Sequence, residues 1–166
     1  CGKTRLALEV ASSLLEAFPH GVWLVELASL ADPAYLPQAV GNVLGLKEEA
    51  GRITIPTLID HLRKKKALLI LDNCEHLIQA CAQLAESILH ACPDVHILAT
   101  SREILGIAGE TPFRVPSLSF PDPHVHMTID QLTRYESVQL FVERAVAVLP
   151  GFAVTQDNAH ALAQIC

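Results

Sequence analysis

"ALLILD", Ala67–Asp72, decides the fold. Five apolar residues run without a break and end in an acid. A half-buried strand alternates apolar and polar residues, whereas this one is apolar on both faces. It must therefore be covered on both faces, which suits a central strand of a parallel sheet with helices packed above and below. The flanking sequence agrees. Leu77, Cys81, Leu84, Ile88 and Ala91 recur at helical spacing after it and stop at Pro93. "GVWLVEL" (Gly21–Leu27), "HILATS" (His96–Ser101) and the weaker "TPFRVP" (Thr111–Pro116) are the other strand candidates. Helices are expected over residues 3–17, from about Pro37 to Gly45, and over Ile53–Lys65 with Pro56 in its first turn. Strands alternating with helices define an α/β layer fold.

Beyond residue 116 the character changes. Pro121, Pro123, His124 and His126 mark a linker. Thr133-Arg134-Tyr135-Glu136 has the form of a capping box, opening a helix with Val138, Phe141, Val142, Ala145 and Leu149 on one side. Pro150-Gly151 ends it, and Thr155–Cys166 forms a further helix. The expected division is a core over 1–118, a linker over 119–132 and a helical segment over 133–166.

Composition narrows the function classes. The 166 residues are 51% hydrophobic, enough for a core, and carry 12 basic and 18 acidic side chains for a net charge of −6. That balance gives no basic footprint for nucleic acid in this segment. The Arg63-Lys64-Lys65-Lys66 cluster suits a helix C-terminus, where cations complement the dipole. No run approaches the roughly 18 apolar residues of a membrane span, and no signal peptide is visible. Five cysteines, at 1, 74, 81, 92 and 166, form no C-x-x-C pair and suit reduced thiols in a cytoplasmic protein.

Three stretches carry chemistry. The chain opens on Cys1-Gly2-Lys3-Thr4, the end of a G-x-x-x-x-G-K-[ST] phosphate-binding loop. In such a loop the glycine lets backbone approach an anion, the lysine reaches the outer phosphates and the hydroxyl ligates Mg²⁺. The following helix adds N–H groups and the positive end of its dipole. Taken alone, the tripeptide is equally a loop glycine followed by a solvated lysine. Asp72 then ends a buried strand, where it can hold Mg²⁺ or its waters, or serve simply as a helix N-cap. "ILATSRE" ends another buried strand in Thr100, Ser101 and Arg102. Ligands of open α/β sheets bind beyond these strand ends, and an arginine there can pair with a terminal phosphate or form a surface salt bridge. The three occur in order, each at a strand–helix junction, which favours a nucleotide site.

With these residues in place, the chain resembles the STAND class of P-loop NTPases, related to NB-ARC and AAA+ domains. It is most similar to the ATPase modules of bacterial AfsR-, SARP- and LuxR-type transcriptional regulators. "CGKTRLALEVA", "GVWLVELASLADP", "LLILDNCEHL", "ILATSRE" and "YESVQLFVERA" carry the resemblance, from residue 1 to about 160. It implies a P-loop parallel sheet of order 5-1-4-3-2 with its first strand ahead of Cys1, followed by the start of a helical lid. It implies that Cys1, Gly2, Lys3, Thr4 and Arg5 belong to Walker A, with Lys3 on the β/γ-phosphates and Thr4 on Mg²⁺. Asp72 becomes the Walker B aspartate and metal ligand, Arg102 the γ-phosphate sensor, and Pro116 part of the exit from the last core strand. Many relatives carry a second acid after the Walker B aspartate; here that position is Asn73, which cannot act as a base. Glu75 is the substitute candidate, or an ordinary first-turn acid.

The function implied is an ATP/ADP-binding switch with slow hydrolysis, in a cytoplasmic regulator that reaches DNA through another domain and self-associates in response to nucleotide. A small-molecule kinase and a non-hydrolysing P-loop scaffold are the alternatives. The resemblance also places a central strand outside the chain. The isolated 166 residues are therefore expected to fold poorly, because buried backbone groups without partners are costly. A calorimetric scan should show a broad, low-temperature transition; a cooperative melt at high temperature would argue against this.

Overall fold

The computed structural model describes residues 2–47, 52–125 and 127–166. Three strands, β1 (Val22–Glu26), β2 (Ala67–Asp72) and β3 (Val95–Ala99), form one parallel sheet in the order β1-β2-β3. β2 is central: Leu69 lies opposite Trp23 on one side and Ile97 on the other. All six of its residues are buried.

Strand alternation sends Leu69 and Leu71 to one face and Leu68 and Ile70 to the other. Leu69 and Leu71 join a large core with residues of α2 (Leu36–Val43), α3 (Ile55–Leu62) and α4 (Ile78–Ala91). Leu68 and Ile70 meet Ala7 and Ala11 of α1 (Lys3–Ser13) and the Phe18 ring. An unbroken apolar run is thus accounted for by helices on both faces.

Local chemistry sets the helix limits. The helix expected over 3–17 ends at Ser13 and gives way to a 3₁₀ turn at Leu15–Ala17. Asp32 caps the 3₁₀ turn Pro33–Tyr35 by accepting the Ala34 N–H at 2.8 Å, and Pro37 lies in the first turn of α2. Gly21, at φ 106°, enters β1 beneath the Trp23 indole; a Cβ there would lie 2.7 Å from Trp23 Nε1. Arg63 is the C-cap of α3, so the basic cluster begins where that helix ends.

Two sequence expectations fail. Thr111–Pro116 is not a strand but irregular chain, and Phe113 is 77% exposed. Aromatic and β-branched residues form a strand only where another strand takes up their backbone groups. One edge of β3 pairs with β2, and among the described residues no strand pairs with its other edge. The capping box expected at Thr133–Glu136 is also absent. Thr133 instead ends a short helix, α5 (Ile129–Leu132), and donates its hydroxyl to Ile129 O at 3.0 Å. The capping box belongs to Thr128, whose Oγ1 accepts the Gln131 N–H while Gln131 Oε1 accepts the Thr128 N–H. α5 therefore lies within the stretch expected to be a linker.

The described chain divides into two compact units, Gly2–Arg114 and Val115–Cys166. The second packs α5, α6 (Glu136–Val148) and α7 (Gln156–Ile165) around Leu132, Val138 and Leu162. Its α6 is capped from a distance. The Glu136 N–H donates to Ser119 Oγ at 3.0 Å, the Ser137 N–H donates to Ser119 O at 3.1 Å, and Glu136 Oε2 accepts the Ser119 N–H at 2.8 Å. Ser119 does what Thr133 was expected to do, from 17 residues before the helix.

Cys74, Cys81 and Cys92 are free and buried; Cys1 lies outside the described residues, as does His126. No helix among the described residues is long and apolar enough to cross a membrane. Truncating Leu69, fully buried at the centre of β2, should cost about 2–5 kcal/mol. Leu15→Ala, at a 59% exposed site, should cost less than about 0.5 kcal/mol. Hydrogen exchange of the β2 amides in the two variants separates these outcomes.

Candidate functional site

The C-terminal ends of β2 and β3 meet the N-terminus of α1. Thr4, in the first turn of α1, donates its hydroxyl to Asp72 Oδ1 at 2.7 Å across 68 residues of sequence. Thr100, just past β3, donates to the same oxygen at 2.5 Å. Two hydroxyls from different elements thus converge on one carboxylate oxygen. Asp72 and Thr100 are the two buried polar side chains among the described residues, at 9% and 6% exposure. Buried polar groups need partners, and here each supplies the other's.

Thr100 also holds the turn that follows β2. Its Oγ1 accepts the Asn73 N–H at 3.0 Å and its carbonyl accepts the Cys74 N–H at 2.9 Å. Asn73 has φ 66° and ψ 52°, the one non-glycine left-handed residue described. Asparagine tolerates that conformation better than most residues, and it turns the chain sharply into the 3₁₀ segment Cys74–His76.

Glu75 lies on that segment. Its Oε1 is 3.4 Å from Arg102 Nε, and its Oε2 is buried without a hydrogen-bond partner. The Arg102 side chain is 81% exposed and that of Glu75 25%. The Cys74 thiol donates to Leu71 O at 3.3 Å, and the Cys81 thiol, burial and the Asp72 and Glu75 charges push it up, so it stays protonated. It is a packing residue and not a nucleophile.

The entrance to α1 has the features of an anion-accepting helix end. Gly2 is left-handed, at φ 67°, and a Cβ there would meet nothing within 4 Å. The glycine is therefore required by backbone conformation, not by crowding. No side chain caps the helix and no acid occupies its first turn, which carries Lys3 and Arg5.

Of the residues expected from sequence, Thr4 and Asp72 are in direct contact, Gly2, Lys3 and Arg5 flank Thr4, and Arg102 is paired with Glu75. Cys1 lies outside the described residues, and Pro116 belongs to the second unit. The sequence marks Thr100 as a strand end and not as a site residue. Its signal is a hydroxyl that closes an apolar strand and proves to be buried.

Among the described residues, no group of three or more His, Cys, Asp or Glu side chains is arranged to hold a metal. Mg²⁺ needs less from a protein, commonly one or two oxygens beside waters and phosphates. Thr4 Oγ1 and Asp72 Oδ1 are hard oxygen donors already within 2.7 Å, and they fit that requirement. Elsewhere, the second unit carries an open cleft of about 500 Å³ lined by Ser119, Val125, Met127, Gln131, Arg134 and Tyr135, none of them among the expected site residues.

No protein-family profile matches the chain, and no solved structure matches it. Similarity to longer proteins is extensive. A protein of Mycobacterium tuberculosis named "Putative HTH-type transcriptional regulator" is 40% identical over 165 residues, 99% of this chain, and one of Mycobacterium bovis with the same description matches equally. An "Uncharacterized protein" of Mycobacterium tuberculosis is 37% identical over the same length. The chain spans 17% of the first two and 39% of the third.

Thr100→Val removes both the donor to Asp72 and the acceptor for the Asn73 N–H. Stranding that N–H should cost about 1–3 kcal/mol, while Thr100→Ser should retain most of it. Faster exchange of the Asn73 amide in the valine variant is the expected result; unchanged protection would show that Thr100 does not hold the turn.

Proposed function

We propose that this chain is an ATP/ADP-binding switch module of the P-loop type, within a bacterial transcriptional regulator acting in the cytoplasm. The observation that supports it most is the convergence of Thr4 and Thr100 on Asp72 Oδ1 at the strand ends, beside a helix start that carries Gly2 and Lys3. Ligands of open α/β sheets bind beyond these strand ends, and such helix starts accept phosphate. The order β1-β2-β3 agrees with the last three strands of a 5-1-4-3-2 sheet. The names of the mycobacterial relatives support the regulatory setting.

In this reading Lys3 compensates the outer phosphates, and the first-turn N–H groups of α1 bind their oxygens. Thr4 and Asp72 hold Mg²⁺, which supplies charge neutralisation when bound. Thr100 orients Asp72. Asn73 is a neutral amide where a base would stand, so hydrolysis is slow and the nucleotide state persists. A switch needs only a different affinity of its two conformations for ATP and ADP. DNA contact belongs to another part of the protein, since this segment is acidic.

The test is calorimetric titration of the full-length protein with ATP and ADP, with and without Mg²⁺. Lys3→Ala should weaken ATP binding roughly 10- to 100-fold, the loss of one contact to a charged group. Unchanged affinity in that variant would overturn the assignment. Fast turnover only on adding a second substrate would indicate a kinase, and no binding of either nucleotide a scaffold.

A further inference from the structure

We infer that the cleft of the second unit is an effector site for a small organic anion, an apolar body that carries a carboxylate. It uses none of the residues of the nucleotide reading and stands independently of it.

The cleft encloses about 500 Å³, within the range that takes small molecules. Its wall comes from three successive pieces of one unit. Ser119, Val125 and Met127 belong to the chain ahead of α5, Gln131 to α5, and Arg134 and Tyr135 to the junction of α5 with α6. Each piece is held by bonds already made. Asp122 closes a turn ahead of the apolar wall: its Oδ1 accepts the His124 N–H at 2.9 Å and its carbonyl accepts the Val125 N–H at 3.1 Å. The Thr128–Gln131 capping box fixes the start of α5, and Ser119 is fastened to Glu136. Tyr135 packs against the Leu132, Val138 and Leu162 cluster. The cleft is therefore formed before a ligand arrives, which lowers the ordering cost of binding.

The same bonds decide which chemistry is left over. Acceptors on the wall are spent on helix caps. Ser119 Oγ accepts the Glu136 N–H at 3.0 Å, and Gln131 Oε1 accepts the Thr128 N–H at 3.0 Å. The bond at Oε1 also fixes which end of the Gln131 amide is which, leaving the two hydrogens of Nε2 as donors. The Arg134 guanidinium donates only. It is exposed and has no carboxylate partner among the described residues. No acid lines the cleft. Val125, Met127 and the Tyr135 ring supply apolar surface beside these donors. A wall with its donors left over and its acceptors used calls for an anion, and guanidinium matches a carboxylate with two parallel bonds. A ligand seated there joins the chain ahead of α5 to the start of α6, and so stabilises the second unit by mass action.

The test is equilibrium dialysis of the full-length protein with naphthoate and with its neutral counterpart, naphthamide. Naphthoate should bind at about millimolar Kd, the strength expected of so small a probe. Naphthamide should bind about tenfold more weakly, the loss of one charge-assisted contact. Arg134→Gln should abolish the preference, so that the two probes bind alike, and Arg134→Lys, which keeps a cation, should retain part of it. A loss of fold would instead weaken both probes together. Val125→Asp, at a 54% exposed position, sets a carboxylate on the wall and should weaken naphthoate more than naphthamide. No saturable binding of naphthoate overturns the assignment, as does equal affinity of the wild type for the two probes. A preference that survives Arg134→Gln, or naphthoate binding that ignores Val125→Asp, places the probe elsewhere and overturns it too.

Discussion

Everything in the first unit depends on covering β2 on both faces. An all-apolar strand cannot leave either face in water, and its N–H and C=O groups cannot go unpaired in a core. β1 and β3 take up its two edges, and α1 and the α2–α4 layer take its two faces. That arrangement also fixes where polar groups can appear. Along β2 the first tolerated charge is Asp72, where the strand leaves the layer. The parallel pairing brings the end of β3 to the same level, and α1 crosses over the same edge.

Polar groups gathered at such an edge must satisfy one another, and Thr100 is the residue that allows it. Its hydroxyl donates to Asp72 and accepts from Asn73, and its main-chain carbonyl accepts from Cys74. Holding Asn73 in a left-handed conformation costs on the order of 1 kcal/mol. The two bonds to Thr100 offset that cost and set the direction in which Glu75 leaves the strand. The geometry of the acid that follows Asp72 is therefore a property of β3 as much as of β2.

Helix capping in the second unit shows the same dependence on distant partners. A Thr-x-x-Glu pattern at 133–136 carries a local signal for a helix start, and the helix does begin at Glu136. Its free N–H groups are met by Ser119, however, because Thr133 is already used to close α5. Capping chemistry is interchangeable between any hydroxyl that can reach, so the pattern predicts the helix better than it predicts the cap.

The apolar runs and their spacing were enough to place three strands and the main helices, since burial leaves a direct imprint on residue type. Thr4, Asp72 and Arg102 were legible as candidates because glycine-lysine-threonine, a strand-ending acid and a strand-following arginine are uncommon at such junctions. The fate of Thr111–Pro116 was not legible. A strand exists only with a partner, and the partner is not encoded in the six residues themselves. Nor was the role of Thr100, whose residue type is ordinary at a strand end, nor the pairing of Arg102 with Glu75. Those contacts join residues tens of positions apart, and only the parallel register of the sheet brings them within hydrogen-bond reach. The sequence by itself determined which segments must be buried. The tertiary structure decided which polar groups would share the edge they leave.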